Sequence, residues 1–175
     1  SVTSDPDKRI AILSILSVEE RHQLLVEFND TAVDYPQEQL IHQLFEEQAA
    51  NQPEAIAVVY EDQELTYGAL NRKANQLAHY LIGLGVKPDD KVAICVERSL
   101  EMIVGLLGIL KAGAAYVPLD PAYPKERLAY MLEDSAPVVL LTQAVLDATI
   151  PFTTIPCIYL DLSTPAINGQ PQSNP

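Results

Sequence analysis

Two short polar clusters have the residue types to do chemistry. Glu97-Arg98-Ser99 sets a carboxylate, a guanidinium and a hydroxyl at the end of an apolar run, just before a second one. Asp120-Pro121-Ala122-Tyr123-Pro124 sets a carboxylate and a phenol three residues apart among prolines. If each run before them is a strand of a parallel sheet, both clusters lie where such sheets bind ligands. Each also has a purely structural reading. Ser99 can cap a helix, Arg98 can pair with a nearby carboxylate, and Glu97 or Glu101 can sit by the helix dipole. Asp120 can accept from backbone N–H groups ahead of it, in a turn whose φ angles the prolines restrict.

Other chemistries lack their residues. Glycine occurs only at 68, 83, 85, 105, 108, 113 and 169. None belongs to a GxGxxG or a P-loop pattern, so the loops near Leu119 and Thr142 are not phosphate cradles of those kinds. GxSxG, HExxH and CxxC are absent. Three scattered histidines and two scattered cysteines give a nucleophile–base pair little support. His42 has no second ligand one turn away and reads as a surface or satisfied histidine. Cys95 and Cys157 lie in apolar strand-like runs and read as buried, reduced thiols. On these grounds no catalytic, cofactor-binding, substrate-binding or metal residue is assigned.

The elements that must carry these clusters are legible in the apolar pattern. Residues 4–16 lack a clear period and read as a linker, tethered by Ile10, Ile12, Leu13, Ile15 and Leu16. Ser17-Val18-Glu19-Glu20 is a capping box, so a helix follows to about Phe28, with Leu24, Leu25 and Phe28 as its stripe. A second helix runs from Gln39 to about Ala50 over Leu40, Ile41, Leu44 and Phe45. Ala55 to Tyr60 is a strand, Glu61 to Glu64 a turn, and Leu65 to Tyr67 a short return strand. Thr66 caps a helix with Leu70, Ala74, Leu77, Ala78 and Leu81 on one face, stopped by Gly83 and Gly85. Lys91 to Val96 is a strand covered on both faces.

Ser99 opens a helix apolar almost all round, on which Gly105 and Gly108 permit close packing. Gly113 closes it with a left-handed cap. Ala114 to Leu119 is a strand whose Pro118 requires a sheet edge or a strand end. Pro124 starts a helix with Leu128, Met131 and Leu132 inward. Pro137 to Thr142 is a strand, Gln143 to Ala148 a short helix, and Cys157 to about Leu160 a last strand. The tail from Ser163 is polar and proline-rich, like a loop or linker. This alternation implies an α/β fold with a mostly parallel, doubly wound sheet and helices on both faces. LKAGAAYVPLDP, residues 110–121, is then a corner of the scaffold rather than a reaction centre.

Composition limits the partners. The 175 residues are 48% apolar with a formal charge of −13, enough for one globular core. Residues 1–64 hold 14 acids against 3 bases, so the acidity is concentrated there. That region reads as a solvated face, or else a docking surface. No basic stripe suggests nucleic acid as a partner. The longest apolar run, Met102 to Leu110, is too short to span a membrane, and no signal peptide is visible. The chain reads as cytoplasmic.

Several segments together resemble one family. LKAGAAYVPLDP resembles the second core motif of amino-acid-activating adenylation domains of nonribosomal peptide synthetases. LTYGAL, residues 65–70, resembles the first, which usually has Glu at the position of Ala69. VAICVERSLEMIVGLLGILKAG, residues 92–113, resembles the segment between them, and LIHQLFEEQAANQPEAIAVV, residues 40–59, the start of the domain. LSVEERHQLLVEFNDT, residues 16–31, resembles the linker after a condensation domain. The ERS and FNDT segments favour the peptide-synthetase branch over acyl-CoA ligases. The resemblance covers roughly residues 10–145.

This resemblance implies residues 1–38 as linker and helix after an upstream condensation-type domain. Residues 39–165 would be the first part of the large N-terminal subdomain. Residues 166–175 would be a polar loop leading to a phosphate-binding loop outside this sequence. The family joins an amino acid to ATP with Mg²⁺, then passes the aminoacyl group to a phosphopantetheine thiol on a neighbouring carrier domain. Its phosphate loop, substrate pocket and catalytic lysine lie further on, so no family residue maps here, and the 175 residues alone are expected to be inactive. Two alternatives stay open: a fragment of an acyl- or aryl-CoA ligase, and a non-catalytic doubly wound docking module.

Overall fold

The computed structural model describes residues 16–162 and 164–175. The chain divides into two compact units, Ser1–Glu38 and Gln39–Pro175. The expected tether at Ile10 to Ile15 lies outside the described residues.

In the first unit, helix α1 (Val18–Leu25) opens on the expected capping box. Ser17 Oγ accepts from the Glu20 N–H at 3.1 Å, and Glu20 Oε2 accepts from the Ser17 N–H at 2.8 Å. The helix stops at Leu25 and gives way to a 3₁₀ turn, Glu27–Asn29, so it does not run on to Phe28. Asn29 Nδ2 donates to the Leu24 and Leu25 carbonyls, which ends the helix by satisfying its last acceptors. The expected stripe of Leu24, Leu25 and Phe28 is exposed.

The second unit begins with α2 (Ile41–Asn51), whose expected stripe is also corrected. Leu40, Ile41 and Leu44 are exposed. The helix leans on its other edge, with Ala49 buried and the Phe45 ring 5.8 Å from that of Tyr67. That edge brings Glu46 to Lys111. Strands β1 (Ile56–Tyr60) and β2 (Gln63–Thr66) pair antiparallel as a separate two-stranded sheet. Their turn is shorter than expected because Glu61 takes a left-handed φ of 52°.

Helix α3 (Tyr67–Gly83) starts at Thr66, whose Oγ1 accepts from the Ala69 N–H. It ends where Gly85, at φ 96°, lets the N–H groups of Gly85 and Val86 reach back to Ile82 and Leu81.

Four parallel strands follow in the order β4-β3-β5-β6: β3 (Lys91–Ile94), β4 (Ala115–Pro118), β5 (Val139–Thr142) and β6 (Cys157–Tyr159). Helix α4 (Leu100–Lys111) joins β3 to β4, and α5 (Lys125–Ser135) joins β4 to β5. Alternate residues of the central strands serve two cores. Val92, Ile94, Val139 and Leu141 meet α3 and Ile109 of α4 on one face. Ala93, Cys95 and Leu140 meet Leu128 and Leu132 of α5 on the other. The two crossover helices thus cover opposite faces, the doubly wound arrangement that the alternation implied.

Gly108 sets the spacing on the first face, since a Cβ there would lie 2.7 Å from Leu77 Cδ2. After α4 the Gly113 and Ala114 N–H groups return to Leu110 and Ile109, with Gly113 at φ 79°. Strand β4 is the sheet edge. Ala115 and Leu119 donate to β3 and its approach, so Pro118, between them in register, turns its donorless nitrogen outward.

Four further details depart from the sequence reading. Pro124 is the N-cap of α5 rather than its first residue. The expected helix at Gln143 is one 3₁₀ turn, Ala144–Leu146. Cys157 is exposed, unlike the buried Cys95. The tail is not a free linker: a short helix α6 (Pro165–Asn168) and the residues after it lie against α3.

Candidate functional site

The two polar clusters meet in one cleft. It has a volume of about 440 Å³ and lies at the carboxyl edge of the sheet, lined by Glu97, Arg98, Asp120, Tyr123, Arg127 and Met131 among others. The cause is topological. The chain leaves β3 towards α4 on one face of the sheet and leaves β4 towards α5 on the other. The departing loops open a crevice between them, the position at which open α/β sheets bind ligands.

The walls are rigid for local reasons. Asp120 Oδ1 accepts from the Ala122 N–H at 2.9 Å, and the Tyr123 N–H donates to the Asp120 carbonyl at 3.0 Å, so the expected turn is present. Ser99 Oγ accepts from the Met102 N–H as the N-cap of α4. The Arg127 guanidinium lies 4.0 Å over the Tyr123 ring, a cation–π contact that orients both. Arg98 makes no ion pair among the described residues, contrary to its structural reading, and stays available to the cleft.

Gln143 has a place that sequence reasoning missed. It is only 7% exposed. Its Oε1 accepts from the Glu97 N–H at 2.8 Å and its Nε2 donates to Ser99 Oγ at 3.4 Å, tying the loop after β5 to the loop after β3. The available signal was a glutamine directly following the apolar strand PVVLLT.

Cys95 is packed in the core beneath these loops. Burial, then the charges of Asp120 and Glu97, push its thiol up to about 11. It is therefore protonated and a poor nucleophile at neutral pH. Among the described residues no group of three or more His, Cys, Asp or Glu could hold a metal ion. With both signs of charge and no nucleophile–base pair, the cleft can hold and orient a polar ligand; the chain supplies no bond-making group there. The residues also do not fit a resident Mg²⁺ site, and no step is assigned to that ion. No helix among the described residues is long and apolar enough to cross a membrane.

Known proteins are similar to this chain in sequence and in fold. A linear gramicidin synthase of Brevibacillus parabrevis is 56% identical over 160 residues, which is 91% of this chain and 2% of the synthase. Chondramide synthase cmdD of Chondromyces crocatus is 49% identical over 178 residues, 100% of this chain and 5% of that protein. Among solved structures, the nonribosomal peptide synthetase FmoA3 superposes with a TM-score of 0.76 at 33% identity, covering 85% of this chain and 16% of that one. FmoA3 has also been solved with AMPPNP and with alpha-methyl-L-serine-AMP bound. The chain thus spans only a few per cent of the length of these two synthases. Residues 45–168 match the family described as AMP-binding enzyme, and the chain belongs to that family.

Proposed function

We propose that this chain is part of an amino-acid-activating adenylation domain of a peptide synthetase. The complete domain would form an aminoacyl-AMP and pyrophosphate from an amino acid and ATP, with Mg²⁺ accompanying the nucleotide. It would then load the aminoacyl group onto the phosphopantetheine thiol of a carrier domain. One observation carries this reading: the match to peptide synthases runs across nine-tenths or more of the chain at about half identity, through both clusters of the cleft. FmoA3, whose fold superposes on this chain, has been solved with AMPPNP and with alpha-methyl-L-serine-AMP, which supports adenylate chemistry here.

In this reading residues 1–38 follow a condensation-type domain, residues 39–165 scaffold the adenylating site, and residues 166–175 lead to the loop that holds the phosphates. The host protein is cytoplasmic. The chain's own share is to fix the sheet and one wall of the crevice.

The test is exchange of labelled pyrophosphate into ATP by the complete protein, screened across amino acids. Exchange that depends on an amino acid is the expected result. Activity only on acids lacking an α-amino group would transfer the protein to the acyl-CoA or aryl-CoA ligases. No exchange with any acid would leave the docking-module reading in place.

A further inference from the structure

Helix α3 is also covered along a polar row beside its apolar face. Asn71, Asn75 and His79 recur every four residues, with Gln76 beside them. Asn75 is fully buried and Gln76 is 8% exposed. Their amides are spent on the chain after β6. Gln76 Nε2 donates to the Asn168 carbonyl at 2.6 Å and is 3.4 Å from the Gln170 carbonyl. Asn75 Nδ2 donates to the Gln172 carbonyl at 2.7 Å. His79 Nε2 lies 3.0 Å from the Ser173 carbonyl, which requires the Nε2–H form. Asn174 Oδ1 accepts from Asn71 and Asn75 and lies 3.4 Å from Lys111 Nζ. Lys111, whose side chain is shut off from solvent, is itself held by Glu46 of α2.

The direction of this tail matters. Tyr159, Asn168, Leu100 and Glu101 line one cleft, so the tail begins beside the start of α4, at the carboxyl edge of the sheet. Asn174 reaches Lys111 at the end of α4, at the edge where the strands start. Residues 168–174 therefore pass from the start of α4 to its end across α3, with Asn174 also beside Asn71 near the start of α3. Any strand that continued the parallel sheet from there would end on the same edge as the candidate site.

We propose that Asn75, with Gln76 and His79, is a positioning residue for the nucleotide site: it seats the backbone of residues 168–174 and so fixes where the following segment enters the sheet. This rests on the adenylation reading, in which that segment bears the phosphate loop. The seat reads mainly carbonyls, so it depends on donors on α3 more than on side chains in the tail.

Two measurements on the complete protein test it. Asn75→Leu keeps the branched shape of the side chain, with a larger volume, but removes the donor. Pyrophosphate exchange should then show KM for ATP raised about ten-fold, with KM for the amino acid within about two-fold, since a small misplacement away from the chemistry is costly. A purely structural defect would lower the active fraction and leave both KM values unchanged. His79→Ala should give a smaller rise in KM for ATP, and His79→Gln, which keeps a donor, should restore it. This milder pair keeps the test open if Asn75→Leu does not fold. Equal KM values for ATP in wild type and variants overturn the inference.

The second measurement needs no activity. Proteinase K should cut residues 168–174 much faster in Asn75→Leu than in wild type. Equal cutting would show that no seat exists, whatever the protein catalyses. Wild-type protein without any exchange would instead sink the proposed function, and this inference with it.

Discussion

The two buried sides of α3 are made on different principles. Leu70, Ala74, Leu77, Ala78 and Leu81 are buried, the last three against the sheet and α4, and any apolar surface of matching shape would serve them. Asn71, Asn75, Gln76 and His79 are covered only because particular carbonyls meet them. The apolar side gains from leaving water. The polar side breaks about even if every donor is met and is costly if one is not. Asn71 Oδ1 and Asn75 Oδ1 have no partner among the described residues, so even this seat is only partly satisfied. The lesson is that burial of a polar row reports a partner, whereas burial of an apolar row reports only a core.

Four experiments sharpen or break this contrast. The largest effect belongs to the apolar side. Leu77→Ala should cost about 3 to 4 kcal/mol in urea denaturation, because Gly108 holds α4 too close for the cavity to be filled by rotamer changes alone. A cost under about 1 kcal/mol would mean that the α3–α4 contact is plastic.

Next comes the polar side. Asn75→Leu should cost about 2 kcal/mol, most of it from the Gln172 carbonyl left without its donor. A stabilised variant would show that the row behaves like core after all.

Third, Glu46→Ala should cost about 1 to 2 kcal/mol by stranding Lys111 away from solvent, and Glu46→Ala with Lys111→Met should recover most of that. A double variant no better than the single would remove the ion pair from the argument.

The smallest effect is a pH slope. Cys95 has its thiol raised from 9.0 to about 11, so the folded chain keeps a proton that the unfolded chain releases earlier. Its contribution is complete below the unfolded value and fades as pH rises through the folded one. Cys95→Ala should therefore lose less stability relative to wild type at about pH 11 than at about pH 8, measured by chemical denaturation at each pH. A constant difference would show that the thiol does not titrate in that window.

The sequence by itself determined the local events and the order of layers. Ser17, Thr66 and Ser99 cap helices where a short hydroxyl precedes an apolar period. Gly85 and Gly113 end α3 and α4 because the backbone needs positive φ there. Pro118 marks an edge because it has no N–H to donate. Such features depend on a few neighbouring residues and leave a pattern that can be read along the chain.

Contacts made at long sequence separation were decided only by the tertiary structure. Of the stripe read on α2, Leu40, Ile41 and Leu44 faced outward because Phe45 had Tyr67 to meet and Glu46 had Lys111. The clusters at Glu97 and Asp120, separately ambiguous, became one cleft when successive crossovers took opposite faces. The polar row on α3, to which the sequence pattern assigned no partner, is covered by residues 168–174. A polar side chain carries no sign of its partner in its own spacing; whether it is wet or buried depends on a carbonyl brought to it by folding from almost a hundred residues away.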